Sequence, residues 1–259
     1  MIGVMRNQSI KFRQAKAGMD QEAMKNLGIE MTEKQQNALT IDFDRMKLKD
    51  LAFLEHFPNL NHLSIGGKAK CFDGLEALSK LKDLCLLRLK NDSLEFLKKC
   101  PAIEILDIRR GQIKKFETIA TLSKLKGISL EGLKTSDLDF IASISSLQVI
   151  VLIEVKNIIS FPSLKNLVHL RRIHLELLKD LEDIQGIAHA SKLKEIIIME
   201  TPKLKPESLQ CFIGHQSLGR ILPGIRNLKS KDYQRACEMF PDKLMDGFYG
   251  TQNEGFEFQ

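Results

Sequence analysis

The sequence predicts an α/β solenoid in which one short strand–turn–helix unit is repeated along the chain. The pattern apolar-x-x-apolar-x-apolar occurs as "LNHLSI" from Leu60, "IEILDI" from Ile103 and "LRRIHL" from Leu170. From Leu60 onward, successive copies start 24, 19, 22, 22, 23, 23 and 25 residues apart. Such a period is typical of stacked units, because each unit can bury its apolar face only against its neighbours.

Each copy is expected to form a parallel strand whose pattern residues point into the core. The remaining copies start at Leu84, Leu125, Leu147 and Leu193, with weaker ones at Leu218 and Gln36. Because successive side chains of a strand point to opposite faces, the residues between the pattern positions should face solvent. In the copy at Leu84 these outward residues would be Leu86, Arg88 and Lys90.

A helical segment is expected before each strand. Apolar residues lie three and six positions ahead of the first leucine, as with Phe57 and Leu54, or Ile144 and Ile141. Spacing by threes indicates a short helix or a 3₁₀ turn rather than a strand.

These units resemble bacterial-like, irregular leucine-rich repeats of about 22 residues over roughly Gln36 to Leu228. The family usually has Asn or Cys three positions after the last strand leucine, and this chain lacks that asparagine ladder. The slots hold Lys68, Asp92, Gly111, Leu133, Val155, Leu178 and Thr201. The resemblance implies a leucine-rich repeat solenoid, with a curved parallel sheet on the concave face and short helices or 3₁₀ turns on the convex face.

Three segments follow from this assignment. Residues 1–35 should form an N-terminal cap, residues 36–228 the solenoid, and residues 229–259 a C-terminal capping helix with an aromatic tail. Ser230 is placed to cap that helix and Pro241 to end it. The tail could fold over the cap, cover the concave face, or stay mobile.

The apolar residues predicted to face outward form the candidate partner-binding site. They are Val149, Val151, Ile153, Ile197 and Met199. Monomeric proteins seldom leave such a patch uncovered, so we expect a protein partner to bind there. Five further residues should orient the partner at the rim, namely Arg88, Arg109, Arg172, His174 and Glu176. The alternative is that β-branched residues merely favour strand formation.

A basic strip supports the second functional hypothesis. Arg88, Lys90, Arg109 and Arg110 are expected near one another, and the chain has a net charge of +6. The strip could bind nucleic acid or another acidic partner. An apolar anchor patch argues against nucleic acid, and so does the absence of tryptophan.

Motifs for catalysis, cofactors or metals are missing. The five cysteines include no Cys-x-x-Cys pair, and the histidines show no zinc-hydrolase spacing. No apolar run approaches the roughly 18 residues of a membrane helix, so we expect a cytoplasmic protein. A thiol enzyme or ligase effector that uses Cys85 or Cys237 is the third hypothesis.

The sequence therefore predicts a non-catalytic protein-binding module that needs no cofactor. An inhibitor, an adaptor or a toxin-neutralising, immunity-type protein would each fit such a module.

Overall fold

The computed structural model of the protein describes residues 10–46, 48–69, 71–225 and 229–245. The chain divides into two compact units, residues 8–125 and residues 126–259. The predicted aromatic tail, residues 247–259, lies outside the described residues, as does the start of the predicted N-terminal cap.

The unit of residues 8–125 contains a parallel sheet whose strands follow chain order. They are β1 (Arg13–Gln14), β2 (Ala38–Asp42), β3 (His62–Gly66), β4 (Asp83–Leu87) and β5 (Ile105–Arg109). Short 3₁₀ helices precede or follow these strands, at Ala52–His56, Leu75–Ala77, Glu95–Lys99 and Glu117–Thr121. The pattern residues of each strand, such as Leu63 and Ile65, are buried between the strands and these turns.

The first helix of this unit covers its first coil. Helix α1 (Gln21–Glu33) begins after Asp20, whose Oδ1 accepts a hydrogen bond from the Ala23 amide at 2.9 Å. Gly28 lies against the 3₁₀ helix Ala52–His56, where a Cβ would stand 2.5 Å from the His56 carbonyl oxygen. Glycine at this position therefore allows α1 to pack directly on the coil.

The unit of residues 126–259 repeats the arrangement. Its parallel strands are β6 (Gly127–Glu131), β7 (Val149–Ile153), β8 (Arg172–Glu176), β9 (Glu195–Met199) and β10 (Arg220–Gly224). Its helical segments are α2 (Asp139–Ala142), α3 (Gln185–Ala188), the 3₁₀ helix Pro206–Phe212 and α4 (Lys231–Glu238). Helix α4 is the one predicted after Ser230, whose hydroxyl accepts from the Tyr233 amide at 3.1 Å.

The connection from β7 to β8 departs from the predicted unit, because residues 154–171 contain no helix. Pro162 lies in this connection and restricts the residue before it, Phe161, to extended backbone. Gly186 of α3 packs directly on this extended stretch. A Cβ at Gly186 would lie 2.2 Å from the Pro162 carbonyl oxygen and 2.4 Å from that of Phe161.

The register of one strand corrects the sequence analysis. In β4, Leu84 pairs with Leu63 and Leu86 pairs with Ile65, so Leu84 and Leu86 both point into the core. The repeat copy therefore starts at Leu81, which lies 21 residues after Leu60, and not at Leu84. The outward residues of this strand are Asp83, Cys85 and Leu87, so the prediction that Leu86 faces outward is wrong. Arg88 and Lys90 are exposed as expected, but they follow the strand and are not part of its outward face.

A left-handed residue follows every strand from β3 to β9. At these positions the residues with positive φ are Gly67, Arg88, Arg110, Gly132, Glu154, Leu177 and Glu200. Their amides extend the sheet ladder, as where Glu154 N donates to Glu176 O at 2.9 Å. Non-glycine residues tolerate this conformation at a cost of roughly 1–2 kcal/mol each, which the ladder bond partly offsets.

Apolar side chains occupy most of the slots of the missing asparagine ladder. With the corrected register, Leu89 replaces Asp92 in this series, and Leu89, Leu133, Val155 and Leu178 are all buried. Thr201 keeps a polar role, because its hydroxyl donates to Ile225 O at 3.4 Å. Hydrophobic burial thus stabilises the turns that side-chain amides hold in the family pattern.

Candidate functional site

The sheet face of residues 127–224 is the candidate site. It consists of the first, third and fifth side chains of β6–β10, which point away from the leucine core. Strand pairing places them in three rows across the sheet. The first row is Gly127, Val149, Arg172, Glu195 and Arg220; the second is Ser129, Val151, His174, Ile197 and Leu222; the third is Glu131, Ile153, Glu176, Met199 and Gly224.

The apolar centre of this sheet face is not open, which corrects the sequence analysis. Val149 is 0 % exposed, Val151 5 %, Ile153 7 % and Ile197 2 %, and only Met199 is half-buried. The direction of these side chains is as predicted, but their exposure is not. Alternation along a strand decides which face a residue joins, whereas exposure depends on what packs over that face.

A chain of charged groups crosses three strands in the first row. Arg172 Nε lies 2.6 Å from Glu195 Oε1, and both side chains are almost fully buried. The contact between Nε and Oε1 is an ion pair whose angles are not those of a hydrogen bond. The hydrogen bond between the two side chains is donated by Arg172 Nη2 to Glu195 Oε2, at 3.4 Å. Arg220 Nη2 lies 2.5 Å from the same Oε2. Glu195 therefore holds two arginines from the strands on either side of it.

The second and third rows bring His174 close to Glu176. His174 Nε2 lies 3.1 Å from Glu176 Oε2, and the imidazole is buried while the carboxylate is partly exposed. These residues were predicted to be rim contacts. The structure puts His174 in the centre of the face and leaves Glu176 near its edge.

A basic cleft opens at the amino ends of β8–β10. Its volume is about 340 Å³, and it is lined by Arg171, Arg172, Lys194, Glu195, Ser217, Gly219 and Arg220. Backbone bonds from Lys194 N to Arg171 O and from Gly219 N to Lys194 O place these three residues side by side. Because Gly219 has no side chain, it leaves a gap beside the side chains of Arg171 and Lys194. Lys194 and Arg220 border that gap.

Half of the predicted basic strip is paired with carboxylates in the unit of residues 8–125. Arg88 is not on the strand face but in the turn after β4, where its Nη2 lies 3.1 Å from Asp42 Oδ2. Arg109 is on the face as predicted, and its Nε donates to Asp107 Oδ1 at 2.9 Å. Lys90 and Arg110 are exposed in the turns that follow the strands. Two of the four cations are thus held by carboxylates of the same unit.

Cys85, Cys100 and Cys211 lack the surroundings of a reactive thiol, and Cys237 of the third hypothesis is half-buried. Burial raises the pKa of the Cys100 and Cys211 thiols to about 11. Cys85 shares a face with His62, but its Sγ lies 3.8 Å from Asp107 Oδ2 and it is buried. Reactive thiols need a cationic, accessible environment, whereas Cys85 is buried next to an acidic side chain. His62 Nδ1 instead contacts Asp83 Oδ2 at 3.2 Å.

Among the described residues, no group of three or more His, Cys, Asp or Glu side chains could hold a metal ion. No helix there has both the length and the apolar character needed to cross a bilayer.

Solved structures with a similar fold identify the architecture. The internalin inlF of Listeria monocytogenes str. 4b F2365 aligns with a TM-score of 0.59 at 15% identity, over 80% of this chain and 58% of that one. Internalin C2 (inlC2) of the same strain aligns with a TM-score of 0.55 at 16% identity, over 79% of this chain and 84% of that one. This chain has the leucine-rich repeat fold.

The fold predicted from the repeats is thereby confirmed, and at this identity the likeness concerns the fold alone. The chain spans little more than half of the inlF structure that it matches. No protein-family model matches the sequence, and neither does any curated protein.

The basic cleft was missed in the sequence, although a signal for it exists. Arg171, Lys194 and Gly219 occupy the same position of three successive repeats, directly before the strand. Aligning the repeats by their starts would have shown two basic residues followed by a glycine. Arg220 and Leu222 were also missed, because the copy at Leu218 matches the pattern only weakly.

Proposed function

We propose that this protein is a non-catalytic protein-binding module that uses the sheet face of residues 127–224. The ion-pair chain of Arg172, Glu195 and Arg220 carries the proposal. Buried ion pairs add little net stability compared with apolar residues of similar size. Charges fixed on a rigid sheet do, however, give orientation and specificity in binding another protein.

The accessible part of this face supports a contact at its edges rather than at its centre. Val149, Val151 and Ile197 have almost no exposed area left for a partner to bury. Met199 and Glu176 are only partly buried, so they are the predicted partner-binding residues of this sheet face best placed for contact. In this proposal the buried side chains act as the platform that holds the edge residues in position.

The leucine-rich repeat fold is compatible with this kind of function, because stacked repeats present one continuous surface. An inhibitor, an adaptor and a toxin-neutralising immunity protein all act by occupying the surface of another protein.

Site-specific photo-crosslinking tests the proposal. Benzoylphenylalanine replaces Met199 or Glu176 on the sheet face, and Val168 serves as control because it is exposed in the connection outside that face. After irradiation in an extract of the source organism, both sheet-face variants should give an adduct of the same defined mass, and the Val168 variant should not. Adducts of equal yield at all three positions, or none at the sheet face, would refute the proposed surface.

A further inference from the structure

We infer that the basic cleft binds the carboxylate groups of an acidic protein segment. This inference rests on the proposed function and specifies the chemistry of the partner. The cleft is lined by four basic side chains and one acidic side chain. Such a lining attracts anions and repels cations, so a partner must bring negative charge to it.

Glu195, the one acidic residue that lines the cleft, fixes the positions of two arginines. Its single negative charge does not neutralise the four basic side chains of the lining. Glu195 is buried and contacts Arg172 and Arg220 at the same time. Arg172 is buried with it, whereas the Arg220 side chain is 41 % exposed. Lys194 is exposed and Arg171 half-buried, so three cations of the cleft remain accessible to an incoming anion. Arg171 is itself oriented by a hydrogen bond of 2.7 Å to Gln148 Oε1.

Gly219 provides the space in which an anion would lie. Its φ is not positive, and a Cβ built there meets nothing closer than the Lys194 carbonyl oxygen at 3.8 Å. Neither backbone geometry nor packing therefore requires glycine at this position. Glycine at this position leaves a gap between Lys194 and Arg220. Ser217 also lines the cleft and adds a further hydrogen-bonding group.

An acidic protein segment suits this cleft better than a nucleic acid does. Its lining contains no aromatic side chain on which a base could stack. Three accessible cations in one cleft are also fewer than the roughly six to ten phosphate contacts of a typical DNA-binding protein. Arginine clusters that bind acidic motifs are a recurrent mode of peptide recognition, and the guanidinium fork matches a carboxylate.

Fluorescence anisotropy with a hexaglutamate peptide, blocked at both ends, tests the inference on the full chain. Two variants attack the cleft independently: Lys194→Glu reverses one accessible charge, and Gly219→Leu fills the gap without changing charge. Lys165→Glu is the matched control, because Lys165 is equally exposed and lies outside the cleft. Both cleft variants should bind the peptide at least about tenfold more weakly, which corresponds to about 1.4 kcal/mol, and the control should bind within twofold of the original chain.

Three results would overturn the inference. The original chain could fail to bind the peptide at low salt, or the Lys165→Glu control could lose as much affinity as Lys194→Glu, which would indicate non-specific attraction. Tighter binding of an oligothymidylate or of inorganic phosphate, lost in the same cleft variants, would assign the cleft to phosphate instead. The crosslinking at Met199 and Glu176 does not depend on these outcomes, so the proposed function and this inference can fail separately.

Discussion

The buried pair of Arg172 and Glu195 allows a quantitative test. Glu195→Gln keeps the size of the side chain and removes its charge. The guanidinium of Arg172 then stays buried without the carboxylate 2.6 Å away, and the cation of Arg220 stays beside it. Removing one partner of a buried pair costs about 3–5 kcal/mol, against a total stability of about 5–15 kcal/mol for a typical domain. The contact with half-exposed Arg220 is screened by solvent and adds at most about 1 kcal/mol.

Urea unfolding followed by circular dichroism measures this loss. Because repeat proteins can unfold in segments, hydrogen exchange of residues 172–199 should show whether the loss is local to β8 and β9. Glu207→Gln is the matched control, since Glu207 pairs with Arg235 in an exposed ion pair and should change stability little. Replacing Arg172 and Glu195 together by methionine should recover stability to within about 1 kcal/mol of the original. A loss below about 1 kcal/mol for Glu195→Gln, or a double variant as unstable as the single one, would refute the reasoning.

Two further predictions concern packing and thiol chemistry. Gly186→Ala should destabilise the protein by roughly 1–3 kcal/mol through overpacking, because its Cβ would meet two backbone carbonyl oxygens at 2.2 and 2.4 Å. Gly219→Ala is the control and should leave the stability unchanged in the same urea titration. Equal losses of stability in the two variants would contradict the packing argument. With pKa values raised to about 11, Cys100 and Cys211 should carry only about a thousandth of their thiols as thiolate at about pH 8. A thiol reagent should therefore modify half-buried Cys71 and Cys237 before Cys100 and Cys211, as peptide mass spectrometry can verify. Rapid modification of Cys100 would show that burial does not protect it.

The periodic leucines determined most of the fold because periodicity is a local property. Apolar residues equivalent to Leu63 and Ile65 recur at the same two positions of successive repeats. Stacking is the arrangement that buries such residues together. The exception is instructive. In the stretch "LKDLCLLRL" from Leu81, leucines at two phases satisfy the pattern, and only pairing of β4 with β3 selects Leu84 and Leu86 as the inward residues.

What the sequence determined by itself is the side of the sheet on which each residue lies; what surrounds that residue was decided by the tertiary structure. Alternation correctly directed Val151 and Ile197 away from the leucine core, yet both are buried. The charged chain through Glu195 and the gap at Gly219 form between repeats more than twenty residues apart in sequence. Exposure, ion pairing and cavities depend on distances across neighbouring strands, and no local pattern in one chain segment encodes those distances.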